Sequence, residues 1–245
     1  MQLAGMPLAM VAGEASGDLL AGLLLGGLRE RWPGLQTVGI GGPKMAEQGF
    51  QAWWPHHKLS VHGYVDALRH FREIYGIREA LTERLLQQRP LGFVGVDAPD
   101  FNLGLELRLR RAGIRTIHFV SPSIWAWRGG RVKRIARSTD HVLCLFPFEP
   151  ELLAQAGVPA TFVGHPLADL IPLEVPRAAS RQALGLADDA AVVALLPGSR
   201  AGEMRRIAPP FLQAAALLQR RRPELRFVLP VADGLRGLLD ELQRE

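Results

Sequence analysis

The chain has 245 residues, of which 48% are hydrophobic, a formal net charge of +5 and a single cysteine. This length and apolar content exclude a disordered chain and suit one large α/β domain, or one domain with part of a second. A single cysteine excludes a disulfide framework and a cysteine zinc site, and it indicates a reducing compartment. The positive charge is compatible with nucleic acid, an anionic membrane or phosphorylated ligands, and it does not choose among them.

The first apolar run is not preceded by a basic segment, so the sequence does not predict a signal peptide. The apolar stretch 19–28 is interrupted by glycines and is far shorter than the roughly 20 residues that cross a bilayer. We therefore expect a soluble, cytoplasmic protein. Cys144 lies inside an apolar run, so we interpret it as a buried strand residue and not as a catalytic thiol.

Short apolar runs of strand length alternate with helical patterns along the chain. The runs lie at 8–12, 37–40, 91–96, 116–120, 141–146, 160–163, 191–196 and 226–230. The helical patterns lie at 19–31, 61–88, 102–112, 128–137, 150–156 and 205–221. Strands that are apolar on both faces and alternate with helices predict a doubly wound α/β fold with a parallel sheet.

A proline-rich segment divides the predicted elements into two series. Residues 166–176 read PLADLIPLEVP and lack periodicity, which is typical of a linker. We predict an N-terminal Rossmann-like domain at 1–165, a linker at 166–185 and a partial C-terminal domain at 186–245. The second series holds only two predicted strands, too few to bury a complete sheet.

Polar groups follow seven of the predicted strands at the point where each strand ends. In chain order the segments are GEASGD, GGPKM, DAPDFN, SPSIWAWR, PFEPE, GHP and PGSRAGE. Open α/β sheets bind ligands beyond the carboxyl ends of their strands, so we expect these segments to line a cleft. The glycines do not form GxGxxG, and no Asp-x-Asp or His/Cys spacing predicts a metal site.

The strongest candidate for chemistry is Asp97, which directly follows the buried run FVGV. A carboxylate at that place is costly unless it is hydrogen-bonded or functional, and burial would move its pKa toward that of a general base. Asp100 precedes a helix and is more typical of a helix cap. Ser16 or Asp18 could cap the first helix, whereas Glu14 has no such role and is a candidate for ligand contact.

PGSRAGE joins a strand to a helix and is a candidate phosphate site. Free backbone amides at a helix start attract phosphate, and the Arg200 guanidinium would add a charge-assisted contact. An ordinary strand–helix turn with a surface arginine is the alternative.

The helical segment 61–88 carries an apolar face wider than one sheet contact needs. Its later half is interpreted as a buried amphipathic helix. Its first part could also meet lipid, with interspersed arginines facing anionic head groups. The residues predicted to contact membrane or acyl chains are Tyr64, Val65, Leu68, Phe71 and Tyr75.

Several long motifs occur in a fixed order and resemble those of the lipid-A-disaccharide synthase family of glycosyltransferases. They are VAGEASGDLL, GIGGPKM, GVDAPDFNLGLELRLRRAGI, HFVSPSIWAWR, RVKRIAR, LCLFPFEPE, FVGHPLAD and LLPGSR. The resemblance implies a GT-B fold and transfer from UDP-2,3-diacylglucosamine to 2,3-diacylglucosamine 1-phosphate (lipid X), giving a β-1,6 disaccharide and UDP. It also implies an inverting, metal-independent homodimer without cofactors, peripheral on the cytoplasmic face of the inner membrane.

The resemblance also assigns residues to roles. Asp97 is similar to the family's proposed base, and Arg200, with Gly198 and Ser199, to the residues that steady the departing UDP phosphates. Five further residues fall in motifs that line the cleft: Glu14, Ser16, Asp100, Asn102 and Ser121. Family members extend further at the C-terminus, where much of the uridine-nucleotide site and the segments exchanged between subunits lie, so we expect this chain to lack part of that site.

Two alternatives stay open. One is another GT-B enzyme that acts on a soluble UDP-sugar, such as an epimerase, which would not need the apolar face at 64–75. The other is an inactive truncated family member that keeps only lipid or membrane binding. Nucleic-acid binding is disfavoured, because the arginines are scattered over several helices without interleaved exposed aromatics.

Overall fold

The computed structural model describes residues 5–59, 64–125, 130–232 and 234–244, and it describes side chains in these ranges except those of residues 57 and 64–71. The chain divides into two compact units. The larger unit holds a seven-stranded sheet, and the smaller unit, which includes the chain from Pro172 onward, holds a two-stranded sheet.

The larger unit alternates strands and helices in chain order, and it includes its third helix from Leu68 onward. Its elements are β1 Leu8–Ala12, α1 Ala15–Arg31, β2 Thr37–Gly41, α2 Pro43–Glu47, β3 Gln51–Pro55, α3 Tyr64–Gln88, β4 Gly92–Val96, α4 Pro99–Arg111, β5 Thr116–Phe119, α5 Arg131–Ser138, β6 His141–Cys144, α6 Glu149–Ala154, β7 Ala160–Phe162 and α7 Leu167–Leu170. A short 3₁₀ turn at His56–Lys58 follows β3.

The sheet of the larger unit runs in the order β3-β2-β1-β4-β5-β6-β7, and its neighbouring strands pair in parallel. Leu8 of β1 pairs with Thr37 on one side and with Gly92 on the other. The strand order therefore reverses between β1 and β4, which is the switch point where such sheets place their ligands. The predicted doubly wound α/β fold is confirmed.

Apolar layers cover both faces of this sheet. On one face Ala9, Val11 and Phe93 pack with residues of α3 and α4, and on the other Met10, Val94 and Val96 pack with α1 and α2. β2 and β4 are buried at every residue, as strands covered on both sides are. The later half of α3 is part of this core, as predicted, through the buried residues Ile77, Leu81 and Leu85.

The smaller unit contains α8 Arg177–Ala183, β8 Val192–Ala194, α9 Ala201–Arg221, β9 Arg226–Val228 and α10 Arg236–Leu242. β8 and β9 are parallel neighbours. Its buried core centres on Met204 and Ala208 of α9 and Leu239 of α10. The helices α7 and α8 lie within the segment predicted as a linker, and the domain boundaries stay a prediction.

The structure differs from the sequence expectations at several elements. β3 was not predicted, because this edge strand is exposed at three of its five residues and ends in a proline, so it lacks a strand's apolar pattern. The short helices α2, α7 and α10 were also not predicted. α1 begins at Ala15 and not at Leu19, so residues 15–18, which were predicted as part of the segment before the helix, form its first turn.

Candidate active site

The turn from β4 into α4 presents Asp97 at the switch point of the sheet. Asp97 and Ala98 have φ values of 50° and 42°, a left-handed conformation that non-glycine residues adopt only when their surroundings hold them there. The amide of Asp97 donates to the carbonyl of Phe119 at 2.9 Å, and its carbonyl accepts a bond of 2.8 Å from Asn102 Nδ2. Asp97 itself is half-buried. Its backbone is therefore fixed from both sides.

Asn102 supports this turn from the interior of the larger unit. Its side chain is fully buried, and its amide nitrogen also lies 3.4 Å from the carbonyl of Val96. The amide thus bridges the last strand residue and Asp97. Asn102 is consequently directed at the protein backbone and not at solvent.

Asp100 is exposed on the first turn of α4, with three quarters of its side chain accessible, and it does not cap the helix. The N-cap residue is Ala98, without a side-chain cap, so the interpretation of Asp100 as a cap is wrong. Instead, Asp100 Oδ1 and Oδ2 accept bonds of 2.8 and 2.9 Å from Arg131 Nη2 at the start of α5. Arg131 was missed from sequence, although it opens the basic motif RVKRIAR.

The end of β1 lies against the Asp97–Ala98 turn. A Cβ placed on the buried Gly13 would lie 3.3 Å from Ala98 Cβ, so the two strand ends are neighbours. Glu14 is the N-cap residue of α1 and is partly exposed, and Ser16 is exposed on the first helical turn. The structure therefore brings Glu14 and Ser16 to the same edge of the sheet as Asp97.

Asp18 has a structural role that the sequence did not reveal. It is 2% exposed, and its carboxylate accepts bonds from the amides of Gly42, Lys44 and Met45 at 2.7, 2.9 and 3.2 Å. These amides belong to the start of α2, so Asp18 caps α2 and not its own helix. The bonds tie the ends of β1 and β2 together.

Ser121 and three aromatic rings lie at the ends of β5 and β6. Ser121 is 6% exposed, and its hydroxyl lies 3.4 Å from the carbonyl of Pro122. Trp125 meets Phe148 edge to face at 5.4 Å, and Phe148 stacks with Phe146 at 5.7 Å. All three rings are exposed, which gives this edge an apolar surface. Trp127 and Arg128 lie outside the described residues.

Glu149 lies buried beneath these rings and organises them. Its Oε2 accepts a 3.1 Å bond from the amide of Phe146. Burial raises the pKa of Glu149, and hydrogen bonds from the Phe146 amide, the Trp125 side chain and the Leu145 amide lower it in part. Burial likewise raises the pKa of the neighbouring Cys144 thiol to about 12, so this thiol stays protonated and unreactive.

In the smaller unit, the predicted phosphate loop binds a carboxylate of its own chain. Glu203 Oε2 accepts from the amides of Ser199 and Arg200 at 3.1 and 3.2 Å, and Oε1 lies 3.4 Å from Arg200 Nη1. Gly198 has a φ of 113°, and a Cβ there would lie 2.5 Å from Glu203 Oε2. The amides expected to be free are therefore occupied, and by an anion.

Hydrogen bonds favour the ionised form of the Glu203 carboxyl group. Desolvation alone would raise its pKa, but the amides of Arg200 and Ser199 and the Arg200 guanidinium together hold the pKa below its ordinary value. Glu203 makes one half of a capping box, because its carboxylate accepts from the amide of the N-cap residue Arg200. The other half is missing, since an arginine side chain has no acceptor for the amide of Glu203.

Four of the five residues predicted to contact lipid, Tyr64, Val65, Leu68 and Phe71, have side chains outside the described residues. The fifth, Tyr75, is 47% exposed, and the Arg78 guanidinium lies 5.2 Å from the centre of its ring. None of the helices in the described ranges combines the length and apolar character of a membrane span. Among the same residues, no group of three or more His, Cys, Asp or Glu side chains could hold a metal ion.

Comparisons with known proteins assign the chain to a family. The family model described as lipid-A-disaccharide synthetase matches residues 8–242. Proteins named lipid-A-disaccharide synthase are similar to 95–98% of the chain: 59% identity for one from Albidiferax ferrireducens, 60% for one from Verminephrobacter eiseniae and 58% for one from Burkholderia pseudomallei. The chain covers 62%, 60% and 63% of their respective lengths, which is less than two thirds.

Two solved structures share the fold at low identity. A UDP-GlcNAc 2-epimerase from Neisseria meningitidis bound to UDP-GlcNAc matches 97% of this chain and 69% of its own, with a TM-score of 0.60 and 11% identity. The glycotransferase of kitacinnamycin matches 92% of this chain and 66% of its own, with a TM-score of 0.53 and 16% identity. Both support the predicted GT-B type of fold. The fold alone does not distinguish among these proteins, but the family model matches the sequence over residues 8–242. The chain therefore belongs to the lipid-A-disaccharide synthetase family.

Proposed function

We propose that this chain is the part of a lipid-A-disaccharide synthase that carries the base and a diphosphate-binding loop. The reaction is transfer of the sugar of UDP-2,3-diacylglucosamine to the 6-hydroxyl of lipid X. The observation that carries this proposal is 58–60% identity to proteins of that name over nearly the whole chain. The epimerase alternative is not favoured, because its only support is a fold shared at 11% identity.

Asp97 acts as the general base in this proposal. Its carboxylate takes the proton of the acceptor hydroxyl as that oxygen forms a bond to the anomeric carbon of the donor. The bond from this carbon to UDP breaks, and UDP leaves with the electron pair. The doubly held backbone of Asp97 supports the role, because a fixed base loses little freedom when it reacts.

The loop at Gly198–Ser199–Arg200 holds the UDP phosphates in this proposal. In the structure its amides and the Arg200 guanidinium already converge on the Glu203 carboxylate, and this geometry supports the binding of an anion. A phosphate oxygen takes the place of Glu203 Oε2. Negative charge grows on the departing phosphates, so a guanidinium there stabilises the transition state more than the ground state.

The other predicted site residues divide by exposure. Glu14, Ser16 and Asp100 are partly or fully exposed and are proposed as substrate contacts. Asn102 and Ser121 are buried and are proposed to shape the site from behind. The homodimer, the position on the cytoplasmic face of the inner membrane and the independence of metal and cofactor rest on the family resemblance.

The start of α3 is proposed to contact acyl chains and an anionic membrane. The described part of this surface, exposed Tyr75 with Arg72 and Arg78 nearby on the same helix, combines an aromatic ring with cationic groups. Sedimentation with vesicles of phosphatidylglycerol at low salt tests it. Binding lost at high salt supports the proposal, and no sedimentation at low salt contradicts it.

The central test is a transfer assay of the 245-residue chain with UDP-2,3-diacylglucosamine and radiolabelled lipid X in detergent micelles. We expect Asp97→Asn to lower the rate by about 100-fold or more, because general-base catalysis contributes at least that much. Asp169→Asn, an exposed carboxylate on α7, is the matched control and should keep the wild-type rate. Absence of product from the wild type would show that this chain alone does not carry the activity, and full activity of Asp97→Asn would exclude its role as base.

A further inference from the structure

A buried acid–imidazole pair lies behind the candidate base, one helical turn after Asn102 on α4. Glu106 of α4 and His118 of β5 are both completely inaccessible, and Glu106 Oε1 lies 2.7 Å from His118 Nδ1. Their other polar atoms, Glu106 Oε2 and His118 Nε2, have no hydrogen-bond partner among the residues that the structure describes. Burying two ionisable groups in this way is costly. Neither group is used by the proposed reaction.

One proton lies between Glu106 Oε1 and His118 Nδ1 in this hydrogen bond, and either atom can carry it. Burial raises the pKa of Glu106, while His118 and then Arg134 of α5 lower it in part. In either arrangement the hydrogen bond persists and fixes the distance between α4 and β5.

The same two elements hold the backbone of Asp97. Phe119 of β5, which follows His118, accepts the Asp97 amide at 2.9 Å. Asn102 of α4, one turn before Glu106, donates to the Asp97 carbonyl at 2.8 Å. The Glu106–His118 bond therefore joins the two elements that hold Asp97 in its left-handed conformation.

Gly95 of β4 makes room for this arrangement. A Cβ at this position would overlap Glu106 Oε1 and would lie 3.0 Å from Asn102 Cβ and Cγ. The carboxylate of Glu106 and the side chain of Asn102 are thus packed side by side against the strand that ends at Asp97.

We propose that Glu106 and His118 are positioning residues for Asp97, which set the spacing between α4 and β5 and thereby the conformation of the Asp97–Ala98 turn. This inference rests on the proposed role of Asp97 as the base. An apolar pair of similar volume would fill the same space but would not fix a direction or a distance, since dispersion contacts are non-directional. A positioning role accounts for a polar pair that stability alone does not require.

The test separates positioning from stability with the double variant Glu106→Leu/His118→Leu. This variant removes the hydrogen bond and leaves neither partner alone in the core, so we expect its melting temperature to stay within about 5 °C of wild type. Amide hydrogen exchange followed by NMR reports on the turn. We expect the Asp97 amide to exchange about tenfold faster, while the amide of Val11 in β1 is unchanged.

Glu106→Gln is the matched control, because a glutamine amide can still bond to His118 Nδ1 without titrating. We expect it to keep wild-type exchange at Asp97. The proposal is overturned if the Asp97 amide of the double variant exchanges no faster, relative to Val11, than in wild type. If the double variant does not fold, Glu106→Met alone removes the bond and gives the same comparison.

A catalytic measurement completes the test where the wild-type chain forms disaccharide. There the double variant should lower kcat about tenfold and leave the KM for lipid X within about twofold, because Asp97 is misplaced while binding contacts remain. An unchanged kcat overturns the proposal. A wild-type chain without activity counts against the proposed function, and the exchange measurement still decides the role of the pair.

Discussion

Two strand-to-helix turns of this chain are each held by a helix side chain, which donates hydrogen bonds in one turn and accepts them in the other. At the end of β4, the buried amide of Asn102 reaches back and donates to the carbonyls of Val96 and Asp97. At the end of β8, the carboxylate of Glu203 reaches back and accepts from the amides of Ser199 and Arg200. The first turn thereby holds the backbone of Asp97, and the second presents a group of donors that already holds an anion. The same local architecture therefore holds either the proposed base or a group of anion-binding donors, according to which backbone groups the helix side chain binds.

The two turns also differ in their exposure to water. Asn102 is completely buried, whereas Ser199 and Arg200 are exposed. Bonds in the first turn cannot be replaced by water without rearrangement, and bonds in the second turn can. We therefore expect changes at β4–α4 to cost more stability than changes at β8–α9.

The largest expected effect comes from filling the space behind the first turn with Gly95→Ala. The new methyl overlaps Glu106 and crowds Asn102, so we expect the free energy of unfolding to fall by about 3 kcal/mol. Gly92→Ala on the same strand is the control, because its methyl would meet its nearest neighbour, the Arg115 carbonyl, at 3.4 Å and should cost less than about 1 kcal/mol. Urea unfolding measures both, and equal losses would contradict the close packing behind Asp97.

Asn102→Ala removes the side chain that holds the first turn. We expect a loss of about 2 kcal/mol in unfolding free energy, because two buried carbonyls lose a donor. The matched control is Gln219→Ala, whose amide bonds the Pro223 carbonyl on an exposed helix end and whose loss should cost about 0.5 kcal/mol or less. If Asn102→Ala lowers the unfolding free energy no more than Gln219→Ala does, the expected difference between buried and exposed hydrogen bonds is contradicted.

The buried carboxyl behind the first turn should make stability fall as pH rises. Burial raises the pKa of Glu106 above 4.5, so the folded chain keeps a proton that the unfolded chain has released. The stabilisation from this proton is complete at pH values below 4.5 and is lost as the pH rises through the folded pKa. Across this range, the unfolding free energy of wild type should fall relative to that of Glu106→Gln as pH rises. A difference independent of pH would contradict the raised pKa.

The second turn should respond to pH in the opposite direction and with the smallest effect. The lowered pKa of Glu203 means that its contribution is present above pH 4.5 and is lost as the pH falls through the folded pKa. The NMR signals of the Ser199 and Arg200 amides should titrate in this acid range in wild type and not in Glu203→Gln. Amide signals that titrate equally in both proteins would show that Glu203 is not their partner.

The sequence by itself determined most of the sheet and the place of the proposed base. Runs that are apolar on both faces identified every described strand except β3, and Asp97 could be singled out because it directly follows one of them. The membership of the family also follows from motif order along the chain. These features depend on residues close together in sequence, where local pattern carries the information.

Only the tertiary structure decided which partner each polar side chain takes. Asp18 binds amides 24 to 27 residues away, Glu106 meets His118 across a helix–strand contact, and Glu203 occupies amides that were expected to be free. β3 becomes a strand because it pairs with β2, despite its exposed and proline-terminated sequence. The physical reason is the same in each case. A buried or strained polar group is stabilised by whichever complementary group the fold brings to it, and that group is not encoded by the spacing of neighbours along the chain.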